Sequence, residues 1–550
     1  MALFDGSVGQ TALYAVAACA AFLVFRKVTT RSPLDNVPGP APDSWLRGNL
    51  GRLFVRQPWA YRREMNQRYG HVWAVPGLAG SKWLSVSDPK AMHAIFIKDI
   101  DIYEEPSEAL MLMLGPGLLS VKGTQHKRQR KMLNPVFSTK HLRDMMPLFF
   151  SVVHKTRDAI TSRVEAADGS APELDVLGWM GRTTLEVLGQ AGLGYSFDPL
   201  TSDRPDAFAN AVKDFFPELA KTFVGRLILP YTEWMGSKQF KRKLVELLGT
   251  RIGTVRRLAE IADVMHARSV EIFKEKGAAL SRGDEALKQQ VGEGKDVMSI
   301  LLRANMLASE EDRLPDDELI AQVSTMILAG MDTTANTLAR ILELLAQHPD
   351  VQESLREEIT RASEQHGDDE ISFDDLMALP LLEAVCRETF RVSPGVTALF
   401  RQTATDVVMP LTTPIRMRDG TLADAVPIPA KTRLIIDNLA SNCDPATWGP
   451  DAHVWRPERW LAPVPAAVEA ARIPGVYSHL MTFIGGSKSC IGFKFAQLEA
   501  KVVLYALLQR FRFESTALPV QWNMAGVQYP SVGDGEPCMP LKVSLLRGRK

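Results

Sequence analysis

Phe483-Ile484-Gly485-Gly486-Ser487-Lys488-Ser489-Cys490-Ile491-Gly492 is the stretch whose reading decides the fold of this chain. Its skeleton is Phe, two residues, Gly, three residues, Cys, one residue, Gly. The chain's own frequencies of those four fixed residues give about 0.001 chance occurrences, so coincidence is a poor explanation. Gly486 and Gly492 permit a tight backbone turn and the close approach of a flat ligand. Leu498, Val502, Leu507 and Leu508 then recur at helical spacing, which predicts an amphipathic helix directly after the loop. Cys490 therefore stands at a helix N-terminus, where free N–H groups and the helix dipole favour a thiolate. A lone cysteine is usually a small buried hydrophobe; inside this decapeptide it reads as a metal-binding sulfur.

Around that loop lies a chain of 550 residues, 46% hydrophobic, with 64 basic and 64 acidic side chains. The length prior allows roughly three or four domains, yet no shift in composition divides the chain, so one large catalytic domain is expected. Zero formal net charge argues against a general polyanion binder, nucleic acid included. The five cysteines (Cys19, Cys386, Cys443, Cys490 and Cys538) are scattered and contain no CxxC pair. They read as reduced thiols, which points to a catalytic part facing the cytosol.

The first residues differ from the rest. Val8 to Phe25 carries no charge; Asp5 precedes it, and Arg26, Lys27 and Arg31 follow. As a helix this run spans ~27 Å at ~1.5 Å per residue, close to the ~30 Å hydrocarbon thickness of a bilayer. Residues 1–30 are therefore expected to be a single-pass membrane anchor. The positive-inside rule leaves the bulk of the protein cytoplasmic. A cleaved signal peptide is the rival, but its charges would precede the apolar run. Residues 31–45, with Val37-Pro38-Gly39-Pro40-Ala41-Pro42, read as a stiff proline-rich hinge holding the domain off the membrane. Residues 46–550 make up the catalytic domain.

Within that domain, alternating stretches from His71 to Val86 suggest a small sheet, and from about Asp88 onward most long segments read as helices. The polar stretches Gly277 to Lys295 and Ala362 to Glu370 look like surface loops. Strand and turn character returns over the last ~60 residues, punctuated by Pro519, Pro530 and Pro537. The expected fold is mainly α with small β-sheets. One helix stands out: Leu319, Ile320, Val323, Met326, Ile327, Leu338, Ile341, Leu342 and Leu345 share a helical period. It opens at Pro315-Asp316-Asp317, with acids at the positive end of the dipole, and closes at His348-Pro349. A helix of ~32 residues, roughly 48 Å, must cross the whole domain.

Near its middle lies Ala329-Gly330-Met331-Asp332-Thr333-Thr334. A mid-helix glycine costs about 1 kcal/mol relative to alanine, which makes sense where a small ligand must reach the backbone. Thr333 is suited to hydrogen-bond a bound oxygen species and Asp332 to relay protons to it; the plain reading is a back-bonding threonine beside a solvated acid. Thr334 is rotated by ~100° from Thr333.

These segments, in their order along the chain, are similar to those of the cytochrome P450 family, and the style resembles its membrane-anchored microsomal fungal members. The resemblance identifies the decapeptide as the cysteine loop, Cys490 as the axial thiolate of a haem b iron, and Phe483, Gly486 and Lys488 as cofactor-binding positions. Lys488 stands where the family normally has Arg, keeping the charge and losing the bidentate geometry. The resemblance makes Asp332 and Thr333 the catalytic acid–alcohol pair of the oxygen-activation motif. Glu388-Thr389-Phe390-Arg391 is the family's Glu-x-x-Arg pattern, and Arg456-Pro457-Glu458-Arg459 its Pro-Glu-Arg segment. Glu388, Arg391 and Arg459 are thus expected to form a buried structural network, since buried charges need full pairing. His126-Lys127-Arg128-Gln129-Arg130 resembles the family's Trp-x-x-x-Arg helix, with His126 in place of Trp. His126, Arg130 and Arg401 are expected at the haem propionates.

The resemblance implies insertion of one atom of O2 into a C–H bond, with NADPH as electron source. The chain has no Rossmann fingerprint and no room for a fused flavin domain, so a separate NADPH–cytochrome P450 reductase is the implied partner. Lys127, Arg128 and Lys131 offer it a basic landing patch. The implied location is the endoplasmic reticulum membrane with the catalytic domain in the cytosol. Alternatives are a haem-thiolate isomerase or dehydratase that does not use O2, which the Asp332-Thr333 pair disfavours, and a non-catalytic haem-binding membrane protein. The expected pocket liners, Met111 to Leu118, Phe215, Phe216, Met326, Val396 to Leu399 and Val527 to Tyr529, are largely apolar. They suit a lipophilic small molecule such as a terpenoid or sterol-like compound.

Overall fold

The computed structural model describes residues 32–546 except 168–170, 199, 201–206, 227–228, 230–237, 284–290, 292 and 368–369. The segment expected to anchor the chain lies outside the described residues. Among the described residues no helix is long and apolar enough to cross a membrane.

Eight helices position the site: α1 (Gly123–Leu133), α2 (Thr139–Ala166), α3 (Val176–Val187), α4 (Ala207–Lys221), α5 (Gly253–Ser281), α6 (Asp316–Gln347), α7 (Pro380–Val392) and α8 (Phe493–Leu508). The main sheet has five strands: β1 (Val72–Pro76), β2 (Lys82–Val86), β3 (Tyr103–Glu104), β4 (Ala398–Thr403) and β5 (Arg433–Asp437), in the order β1-β2-β5-β4-β3. Only β2 and β5 run parallel; the other pairs are antiparallel. The C-terminal strand Pro540–Leu545 pairs with Phe511–Ser515 on one side and Glu173–Asp175 on the other in a small separate sheet. A mainly helical domain with small sheets is thus what the sequence pattern predicted.

The long helix has the predicted bounds. Pro315 is its N-cap, Asp316, Asp317 and Glu318 fill its first turn, and the next helix opens at Pro349. Prolines fix both ends because neither can continue an N–H···O ladder. α6 is buried along nearly its whole length and divides the interior. Leu319 to Met331 pack into one apolar cluster with α4 and α5, and Ala335 to Leu345 into another with α2, α7 and α8. The changeover falls on Asp332-Thr333-Thr334, so the polar turn sits where two apolar cores meet.

Three expectations need correction. α8 is not amphipathic: every residue from Gln497 to Leu508 is buried, because α2, α6 and α7 surround it. α5 continues through Gly277 to Ser281, since Lys276 and Ala279 face the core, and the Pro349–His366 helix covers Ala362; both loops begin later than the polar composition suggested. The proline-rich stretch is also no free spacer from Pro33 onward. Leu34 and Val37 are buried, and the Pro38 carbonyl accepts a 2.7 Å hydrogen bond from Ala74 N–H beside β1.

Candidate active site

The cysteine loop is held by its own backbone. Cys490 N–H donates to the Phe483 carbonyl at 2.9 Å, and Val476 N–H to the Ile484 carbonyl at 2.8 Å. Ile484 has φ +46°, an outlier for a β-branched residue, and so marks stored strain next to the cysteine. Gly486 has φ +73°, and a Cβ there would lie 2.0 Å from the Phe96 carbonyl oxygen. The glycine therefore serves packing of the loop on the π-helical turn Ala94–Lys98, not close approach of a ligand. Gly492 has φ −89° and only the Phe137 ring near its would-be Cβ, so the turn does not demand a glycine there. The Phe483 ring is buried among Phe390, Tyr477 and Phe493.

Cys490 stands two residues before the first residue of α8's cap-to-helix junction at Gly492–Phe493. Its side chain is accessible and yet densely surrounded by protein, so it is reached from within a recess. Burial pushes the thiol up, while the Gly492 N–H and the Arg130 guanidinium pull it back toward the thiolate. Among the described residues no three His, Cys, Asp or Glu side chains cluster to hold a metal. A metal held at Cys490 would have to bring its other ligands with it.

Four basic residues surround the same loop. Arg130 on α1 donates to the Ser489 hydroxyl at 3.1 Å. Lys488 donates to the Val121 carbonyl at 2.9 Å and lies 3.7 Å from Glu105. Arg401 on β4 is buried, 3.5 Å from the same Glu105. His126 is buried beside them, and burial together with Lys488 and Arg130 pushes it down to about 4, so it is neutral at pH 7. Burial and Arg401 likewise lower Lys488. Neighbouring cations that depress His126 and Lys488, with Glu105 as the acid among them, mark a site short of negative charge. That donor set fits the two propionates of a haem.

On α6 the acid and the alcohol do not face one another. The Thr333 hydroxyl donates back to the Ala329 carbonyl at 2.7 Å, leaving its oxygen free to accept. Asp332 is buried, accepts from Asn336 Nδ2 at 3.0 Å, and is pushed by burial up to about 7 although Asn336 and Lys213 favour its charged form. It lines a small pocket with Lys213, Phe216, Val527 and Tyr529, the last three among the residues expected to line a substrate pocket. Phe215 and Met326 are instead packed in the apolar core. The reason given for Gly330 also changes. A Cβ there would lie 2.9 Å from the Leu188 side chain, so the missing side chain seats α6 against the π-helical turn Leu188–Leu193.

The charged network is present as expected. Arg391 donates to both Glu388 oxygens, at 2.8 and 2.7 Å, and Arg459 Nε lies 3.4 Å from Glu388. Trp460 Nε1 donates to Glu388 at 2.9 Å and Arg456 N–H at 3.0 Å. The remaining guanidinium N–H groups reach the Asn442, Ala452, Val454 and Trp448 carbonyls.

The basic patch on α1 is weaker than its sequence suggests. Arg128 pairs with Glu318 at 2.6 Å and Lys131 with Asp312 at 2.8 Å, while Lys127 is exposed. Sequence reasoning missed Glu105, the acid among the cations, and Glu499, a buried carboxyl on α8. Glu105 has no motif around it; Glu499 was visible as an acid inside an apolar run.

A helical domain crossed by one long helix, with a single cysteine in a strained loop and a basic cradle beside it, defines the class of haem-dependent oxygenases. The comparisons with known proteins agree. The Cytochrome P450 family model matches residues 38–524. Cytochrome P450 monooxygenase 91 of Postia placenta is 49% identical, over 96% of this chain and 98% of its own length. A protein of Ganoderma lucidum named ganoderic acid synthetase is 48% identical, over 96% of both chains. The crystal structure of a cytochrome P450 (CYP102L1) superposes with a TM-score of 0.68 at 21% identity, covering 93% of this chain and 99% of that one. The chain belongs to the cytochrome P450 family and is a cytochrome P450 monooxygenase.

Proposed function

We propose that this monooxygenase hydroxylates a lipophilic small molecule, of terpenoid or sterol-like character, with electrons from NADPH delivered by a separate cytochrome P450 reductase. The observation that carries the reading is the convergence of His126, Arg130, Lys488 and Arg401 beside the Cys490 loop. In this reading Cys490 holds the haem iron, and Arg130, Lys488 and Arg401 neutralise the propionates while neutral His126 donates one hydrogen bond. When bound, the haem supplies dioxygen activation, which an electron-rich thiolate ligand favours. Asp332, titrating near 7, takes protons from the Lys213–Tyr529 pocket and passes them toward the Thr333 oxygen. The apolar liners Phe216 and Val527 support a lipophilic substrate, as does a relative whose name gives ganoderic acid as its product. Residues 1–30 hold the domain at the endoplasmic reticulum membrane, and exposed Lys127 contributes to reductase docking.

The test is a panel of terpenoids, sterols and aromatics scored first by the Soret shift on binding, then by NADPH- and reductase-dependent product. Rearrangement of a peroxide substrate without NADPH or O2 would instead mark an isomerase. Deleting residues 1–30 should release much of the protein from membranes with haem retained; secretion of a shortened mature protein would overturn the anchor.

A further inference from the structure

The pocket beside Asp332 holds a cation that the protein does not neutralise. Its walls are mostly apolar, Leu177, Phe216, Pro217 and Val527 among them, and Lys213 on α4 enters from one side. Lys213 is half-buried, and among the described residues it makes no hydrogen bond and no ion pair. The acids that could answer it are engaged elsewhere. On its own helix, Asp214 pairs with Arg257 at 2.7 Å and Glu218 with Lys221 at 2.5 Å. Asp175 accepts the Met539 N–H at 2.9 Å and the thiol of Cys538, a group that also feels Lys213. Asp332 is the acid among the pocket's own residues, and burial pushes it toward neutrality against the pull of Lys213. An ammonium held in an apolar wall loses hydration, and nothing in the fold offsets that loss. A ligand of opposite charge would.

We propose that Lys213 sets the substrate class: the substrate is a lipophilic carboxylic acid, and its ionised end pairs with the Lys213 ammonium in this pocket. This rests on the reading of the pocket as the seat of a lipophilic substrate. One cation balances one charge, which suits a carboxylate; a phosphate group carries about 1.5 to 2 charges and would stay partly unneutralised. The pocket is small, so it takes the head of the molecule while the apolar body lies outside it. Tyr529 is a further donor on the same wall, and burial raises its phenol, so the hydroxyl keeps its hydrogen. A carboxylate can hand on a proton as water does, so its presence does not close the route to Asp332. An ester or alcohol of the same skeleton would leave the ammonium unpaired. A site built around a buried polar group rejects analogues that lack its partner.

Soret titrations of the haem-loaded enzyme test this with two matched sets of probes. One set is abietic acid, methyl abietate and abietinol; the other is oleanolic acid, its methyl ester and erythrodiol. At about pH 6 a free carboxylic acid is ionised while Asp332 keeps its proton. In at least one set the wild type should bind the acid about 10-fold or more tighter than the ester and the alcohol, the scale of one charge-assisted hydrogen bond. K213M should bring the acid's affinity down to that of the ester, and K213R should restore much of the preference. Ester or alcohol bound as tightly as the acid by the wild type overturns the proposal without any variant, so it stays testable even if K213M folds poorly. K213M weakening all three members of a set alike also overturns it, by making Lys213 a packing residue. If no member of either set shifts the band, the terpenoid reading itself falls, and the proposal with it.

Discussion

Glu388 and Asp332 are both buried carboxylates, and the protein treats them in opposite ways. Glu388 receives two arginines, a tryptophan N–H and a backbone N–H, and its side chain and that of Arg391 are completely buried. Asp332 receives one amide hydrogen bond and is pushed toward neutrality. A saturated network holds one charge state and one geometry, so it braces the segment from Asn442 to Trp460 against α7. An under-satisfied acid has two charge states of similar free energy, which is what moving a proton requires. Satisfaction of hydrogen bonds, more than burial, separates scaffold from machinery here.

The largest effect should come from attacking the saturated side. Glu388→Gln leaves the buried Arg391 guanidinium without its counter-charge, while Arg459 keeps Asp451 at 3.0 Å, a loss of about 3–5 kcal/mol against a total stability of about 5–15 kcal/mol. Little folded holoprotein should survive, read as a collapse of thermal midpoint and haem content. If E388Q melts like the wild type, the contrast between the two regions is false. Cys490→His should leave that network intact and still abolish the red-shifted Soret band of the reduced carbon-monoxide complex. A surviving band would remove Cys490 from the iron.

On the under-satisfied side, folding should be spared and chemistry lost. Thr333→Ala deletes a hydroxyl that only back-bonds its own helix, so substrate binding and reduction should persist. Product per NADPH should fall by up to ~10²-fold or more as peroxide rises. Asp332 also has a stability signature. Its folded carboxyl holds a proton up to about 7, above the ordinary carboxylate range near 4. Its favourable contribution is therefore complete below about pH 4 and is lost as pH rises toward 7. Asp332→Asn should flatten the melting curve across that window, and an unchanged pH dependence would show that Asp332 is ionised throughout.

The smallest effect is expected at His126. It is pushed down to about 4, so it contributes stability above its ordinary value near 6.5 and loses it as pH falls through 4. His126→Gln should soften the acid limb of the stability curve and leave turnover between pH 7 and 8 nearly unchanged. Arg130→Ala, which removes a true cation, should weaken haem retention far more.

Sequence disclosed the parts of the molecule that are written locally. The bounds of α6 were legible because Pro315 and Pro349 punctuate it, and the Glu388–Arg391 spacing because both residues share one helix face. What escaped depended on distant neighbours. Gly330 looked like room for a ligand, yet its partner is Leu188, which arrives from another helix. α8 looked amphipathic because Glu499 and Lys501 are polar letters, although each has its place inside the core. His126 replaces an aromatic residue, and only the surrounding Lys488, Arg130 and Glu105 show that it is buried and neutral. Asp332 and Thr333 are adjacent letters, but a step along a helix turns them apart.

The seat of Gly486 on the Phe96 carbonyl bears on how the protein is assembled. The cysteine loop cannot close until a segment almost four hundred residues earlier in the chain has docked beneath it. Contacts of such sequence separation are entropically expensive to form and come late in folding. Haem capture should accordingly follow formation of the main sheet, and a chain stalled before residue 96 docks would present a free, oxidisable thiol where its ligand loop ought to be. Time-resolved haem incorporation during refolding should lag the burial of Trp73 and Trp83, the indole reporters on β1 and β2.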